Sequence, residues 1–201
     1  NTERSVKALL YLAALYHDVA KPETQSVDAD GRIRAFGHEQ RAAEIVEQRF
    51  SALRLSNAEI ERAKHIVHNH MRPHSLRDTG KPPTRRAIYR FFRDTEEGGV
   101  DVVLLSVADL LATYGPNLPQ DVLAAHLDVC RALLEAWFEH REEKVLPPAV
   151  LDGHDLMVNF DLEPGPIIGE LLEAVREAQA MGEIEDRKTA FKFVGEWLQA
   201  R

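Results

Sequence analysis

"LAALYHDVAKPET", residues 12–24, sets a histidine and an aspartate side by side in an apolar helical run. Val6, Leu9, Leu10, Ala13 and Ala14 recur at three- and four-residue steps, and the pattern stops before Pro22. Neighbours on a helix point about 100° apart. One ion can lie between His17 and Asp18 if a long imidazole and a short carboxylate reach it from either side. Imidazole with carboxylate suits a divalent transition ion or magnesium. Taken alone, a histidine in such a run is more often a hydrogen-bonded core residue. The choice between these readings depends on partners elsewhere.

Three candidates stand far apart in the chain: His38 at a helix start, His70 near a helix end, and Asp109 in "LSVADLL". Inward-facing side chains from several helices are how a bundle builds a metal site. Lys21 follows the pair by one turn and can act as a point charge for phosphate. His65 and His68 read as surface or supporting residues, and His74, His126 and His140 as structural or solvated. Glu39 reads as an exposed carboxylate at a helix start.

Helical periodicity dominates the remainder, so the expected fold is all-α. "TQSVDADGRIRAFG" is a polar turn whose Asp-Gly closes a small hairpin or a plain loop. Ser56 and Glu59 form a capping box that opens a helix running toward Pro73. Residues 119–141 make a long amphipathic helix with Pro119 in its first turn. The Pro147-Pro148 pair marks a composition shift, which divides the chain into a body, residues 1–145, and a smaller helical tail, residues 146–201.

The net charge of −8 argues against a generally basic nucleic-acid surface. The single cysteine, Cys130, cannot form an internal disulfide and reads as a buried thiol, which points to a reducing, cytoplasmic setting. No apolar run approaches the roughly 20 residues of a membrane span, and no signal-peptide pattern opens the chain. The chain lacks an initiator methionine, and the expectation is that an earlier part is missing.

"ALYHDVAKP" resembles the signature of the HD superfamily of metal-dependent phosphohydrolases. His17-Asp18 matches the central pair, Asp109 the distant aspartate, Lys21 a frequent lysine, and His38 and His70 the two extra histidines of two-ion members. The resemblance implies an HD-type helical bundle that holds one or two divalent ions (Mg, Mn, Ni, Co or Fe). It implies His17, Asp18, His38, His70 and Asp109 as ligands, and Asp18 and Lys21 in catalytic roles. Substrates would be nucleotide or RNA-end phosphoesters. The family's first histidine should lie on a preceding helix, yet none of the 16 residues before His17 is histidine.

The tail, "LDGHDLMVNFDLEPGPIIGELLEAVREAQAMGEIEDRKTAFKFV", resembles the C-terminal region of bacterial tRNA nucleotidyltransferases, and "GHE", "HNHMRP" and "RRAIYRFFRD" resemble their HD-bearing members. That implies tRNA as a partner. It also implies a nucleotidyltransferase head with a Gly-Ser turn and paired aspartates, a stretch this sequence does not contain. The alternative is a non-catalytic tRNA-binding body and tail, or a degenerate HD scaffold. Pro164-Gly165-Pro166 reads as a stiff helix start, and His154 and Asp155 as helix-start residues rather than a second metal pair.

In "RRAIYRFFR", Arg86, Arg90 and Arg93 share one helix face. Arginine forks match phosphate oxygens, so this face is a candidate for RNA or nucleotide phosphate. Pairing to some of the 33 acidic residues is the equal alternative.

Overall fold

The computed structural model describes residues 4–78 and 80–200. The fold is all-α as expected, with one minimal hairpin. By compactness the chain forms two units, residues 1–82 with 94–134, and residues 83–93 with 135–201.

The first unit opens with α1 (Val6–Tyr16), started by Ser5, whose side chain accepts from the Ala8 amide. After a tight turn comes α2 (Lys21–Thr24), with Pro22 in its first turn, where its missing N–H costs nothing. Strands β1 (Ser26–Val27) and β2 (Ile33–Arg34) pair antiparallel, Ser26 opposite Arg34 and Val27 opposite Ile33. Asp28 holds this hairpin by accepting from the Asp30 and Arg32 amides and from Arg34 Nε.

Gly37 then takes a left-handed conformation, φ +74°, to start α3 (His38–Ala52). The capping box opens α4 (Asn57–Asn69) as the sequence indicates: Ser56 Oγ accepts from the Glu59 amide and Glu59 Oε2 from the Ser56 amide. A short α5 (Arg72–Asp78) follows, with Pro73 in its first turn.

Two longer helices complete this unit's framework, α7 (Gly99–Tyr114) and the start of α8 (Gln120–Glu139); between α5 and α7 the chain forms α6 (Arg85–Thr95). Helix α4 packs on α1, α3 and α7, and α7 also touches α5. Val46, Phe50, Ile66, Val67, Val102 and Leu133 are fully or almost fully buried between them. Tyr16 meets Phe50 edge-on at 5.3 Å. By length and composition alone the helical run Arg85–Asn117 passes as a membrane span. Val102, Val103, Leu105 and Leu110 within it face the core.

The second unit contains α9 (Gly153–Phe160), α10 (Pro166–Met181) and α11 (Arg187–Gln199). Its core is Leu151, Leu156, Leu171, Val175, Ala178, Ile184, Ala190 and Val194. Asp152 and Asp186 each cap a helix in a reciprocal box, with Asp155 and Thr189 as the returning partners. Asp155 is therefore a helix-start residue, tied further to Arg187 at 2.5 Å.

Candidate metal centre

Four helices and the turn after α1 meet at Asp18. His17 closes α1 and His38 opens α3, while His70 sits just beyond α4 and Asp109 projects from α7. Asp18 Oδ1 lies 3.3 Å from His38 Nε2 and 3.7 Å from His70 Nε2. Its other oxygen lies 3.3 Å from His17 Nε2 and 2.6 Å from Lys21 Nζ. Asp109 Oδ1 stands 3.6 Å from His17 Nε2.

One local device orients all three histidines. The Nδ1 atoms of His17, His38 and His70 meet the carbonyls of Ala14, Ala35 and Val67, each three residues back, at 2.7, 2.7 and 2.6 Å. A carbonyl only accepts, so Nδ1 carries the proton and Nε2 is left as the free lone pair. Bonding of this kind to the far ring nitrogen sets the tautomer of a ligating histidine.

The inward faces lack partners. His17 Nε2 and Asp18 Oδ1 are buried polar atoms without a hydrogen bond. The Nε2 atoms of His38 and His70 face one another at 3.2 Å. With both rings protonated on Nδ1, these are two lone pairs pointed together, an arrangement that a cation resolves. His17, Asp18 and His70 each offer a donor atom within 4.8 Å of the others, the nitrogen-and-oxygen set that suits a divalent cation.

The electrostatics agree. Burial opposes a charge on His17, yet the Asp109 and Asp18 carboxylates beside it raise its pKa to about 10. Burial also opposes ionisation of Asp18, but His17 and Lys21 bring its pKa down to about 2. Asp109 is held well below the carboxylate range by His17 and then His74. Burial lowers His70 to about 4, so it is neutral.

His74, read from sequence as structural or solvated, is 8% exposed, and its Nε2 lies 3.4 Å from Asp109 Oδ2. His74 follows His70 by four residues, but α4 ends at Asn69 and α5 begins at Arg72, so the spacing alone does not place the two on one face. Cys130 is buried, as expected; His126, read as structural or solvated, is buried; and His65 is half-buried, 3.7 Å from Glu96.

The arginine row belongs to the second unit. Arg86 and Arg90 reach Glu177 Oε1 at 3.0 and 2.8 Å, and Arg93 reaches Glu173 Oε1 at 3.3 Å. Tyr89 donates to the same Glu173 oxygen, and burial together with that carboxylate pushes its phenol up. Of the two sequence readings, pairing with acidic residues is the one seen, although Arg86 and Arg90 remain about half exposed.

The chain matches the HD domain family over residues 3–114 and tRNA nucleotidyltransferase domain 2 over residues 144–194. It is 33% identical to the A-adding tRNA nucleotidyltransferase of Deinococcus radiodurans over 95% of its own length and 42% of the relative's. It is also 33% identical to the CC-adding tRNA nucleotidyltransferase of Thermus thermophilus, over 94% of this chain and 40% of that protein. The chain thus spans about two-fifths of the length of these curated relatives. It belongs to the HD domain family, carries a tRNA nucleotidyltransferase domain 2, and is homologous over most of its length to tRNA nucleotidyltransferases.

Proposed function

We propose that the Asp18 centre is a metal-dependent phosphohydrolase or phosphodiesterase site acting on nucleotide or RNA-end phosphoesters. The observation that carries this reading is the convergence on Asp18 of three Nε2 atoms, each freed by a backbone bond at Nδ1. His17, Asp18, His38, His70 and Asp109 would hold one or two divalent ions. Such an ion, when bound, supplies Lewis-acid activation of water and neutralises phosphoryl oxygens.

The chain's own groups do the remaining work. Asp18 divides its oxygens between the His38–His70 side and the His17–Lys21 side, which suits it to orient the attacking water. Lys21 gives one N–H to Asp18 and stays about half exposed, with two donors left for an anionic phosphoester. His38 and His70, buried on the other side, exclude solvent there.

Metal analysis of the purified chain, paired with hydrolysis of a generic phosphodiester, tests the reading. Wild type should retain a divalent ion and turn over, while Asp18→Ala should lose both. A variant that kept its metal and its activity would sink the reading.

A second reading concerns tRNA. The C-terminal match and the names of the two relatives favour a body and tail that hold tRNA within a larger nucleotidyltransferase. On this reading Arg86, Arg90 and Arg93 exchange Glu173 and Glu177 for phosphate. Retention of tRNA should then weaken when the three arginines are neutralised, and equal retention by that variant would count against it.

A further inference from the structure

Asp109 faces two ways. Its Oδ1 approaches His17 Nε2 at 3.6 Å, and its Oδ2 approaches His74 Nε2 at 3.4 Å. His74 Nε2 is a buried polar atom without a well-formed hydrogen bond, so the Asp109 carboxylate is the acceptor within its reach. At 3.4 Å the contact is longer than a strong N–H···O bond.

His74 is itself held from behind. Its ring stacks on His126, centroids 4.7 Å apart and planes 22° from parallel. His126 has no exposed surface, and its Nε2 lies 3.1 Å from Ser106 Oγ. The Ser106 hydroxyl donates to the Val103 carbonyl at 2.8 Å, which leaves its oxygen to accept from His126. Ser106 precedes Asp109 by three residues on α7. The line Asp109–His74–His126–Ser106 therefore leaves α7 and returns to it, by way of α5 and α8.

Asp109 needs such support. Its final torsion is a broad, roughly two-fold one that a side chain leaves unfixed unless something holds it. On its own helix the Thr113 hydroxyl reaches it at 3.5 Å from Oδ1, the outer limit of a hydrogen bond and too weak to fix the carboxylate alone. We propose that His74 is a positioning residue: it anchors Oδ2 of Asp109 so that Oδ1 is presented to the His17–Asp18 centre. It acts through Asp109 and touches neither cation nor substrate. This rests on the reading of the Asp18 centre as a cation site.

The test uses the whole chain and Co²⁺, titrated by calorimetry and by visible absorption. His74→Ala should weaken Co²⁺ binding about 10–100-fold, the cost typical of removing a group that orients a ligand. The absorption of the saturated complex should keep its wild-type position, because no ligand has been lost. His74→Gln, which can return an N–H to Oδ2, should recover most of the affinity.

Unchanged binding by His74→Ala would overturn the assignment while leaving the cation site standing. An altered spectrum at saturation with no rescue by glutamine would also overturn it, making His74 a ligand. If wild type bound no Co²⁺, the cation site itself would fall, and this inference with it. Should His74→Ala fail to fold, His74→Asn takes its place: weaker binding supports the assignment and wild-type binding overturns it.

Discussion

Glu59 is the residue through which acid should loosen this fold. Its Oε2 accepts from the Ser56 amide at 2.7 Å, and its Oε1 accepts from the Arg4 amide at 3.0 Å. These bonds, Ser56 first and Arg4 second, lower its pKa from 4.5 to about 2. The folded value lies below the unfolded one, so ionised Glu59 stabilises the fold above pH 4.5. That contribution is lost as pH falls from there toward 2. In chemical denaturation wild type should exceed Glu59→Gln in stability at pH 7, and the gap should narrow below pH 4.5 and close near pH 2. A gap independent of pH would show that the carboxylate's charge is not what matters. At this scale much of the candidate centre was legible in the sequence. His17, Asp18, His38, His70 and Asp109 are types whose chemistry announces itself in apolar or helix-end positions, and the fold brings them within a few ångströms. His74 escaped because its contact depends on which way α5 turns after His70, and residue type carries no trace of that.

Among the elements, the start of α3 has the clearest local requirement. Gly37, at φ +74°, turns the hairpin strand β2 into the helix that begins with His38. An added Cβ there would meet nothing within 4 Å, so Gly37→Ala suffers from backbone conformation alone. The left-handed region costs an L-residue about 1–2 kcal/mol. A melt should show a Tm lower by about 2–8 °C for a chain of this size. The same substitution should weaken cation binding, because relaxing residue 37 moves His38 relative to the Ala35 carbonyl that holds it. A lower Tm with unchanged binding would separate the cap from the ligand. Elements with local signals were readable: the Ser56–Glu59 box is complete within a few residues, and the Asp-Gly stretch, readable as a hairpin or a plain loop, is a hairpin in the fold. The helix opened by Ser56 does end before Pro73, as read. Proline ends a helix interior but is welcome in a first turn, and only the fold shows that a new helix begins at Arg72.

For the molecule as a whole, the net charge of −8 and the glutamate-paired arginines set the terms for RNA. Arg86 and Arg90 share one carboxylate, so Glu177→Gln leaves two facing cations without their counter-charge. Stability should fall by up to about 1 kcal/mol, as befits half-exposed pairs. If this face meets phosphate, the same variant should bind tRNA more tightly at low salt. Binding by wild type should weaken with salt at a log–log slope of about −2 to −3, the signature of three phosphate contacts. Tighter binding that ignored salt would point to contacts other than this row. That residues 83–93 group with 135–201 is written in no local signal. The pairing of Tyr89 with Glu173 joins positions 84 residues apart. The three-carbonyl lock on His17, His38 and His70 has a consequence for how such a chain can change over time. Every residue type supplies a main-chain carbonyl, so no side-chain exchange at positions 14, 35 or 67 deletes the acceptor. The aim of the imidazoles is insulated from drift at those sites: mutational scanning should find positions 14 and 35 tolerant of residues that keep the helix or turn intact, while Val67, fully buried, accepts only apolar residues of similar size.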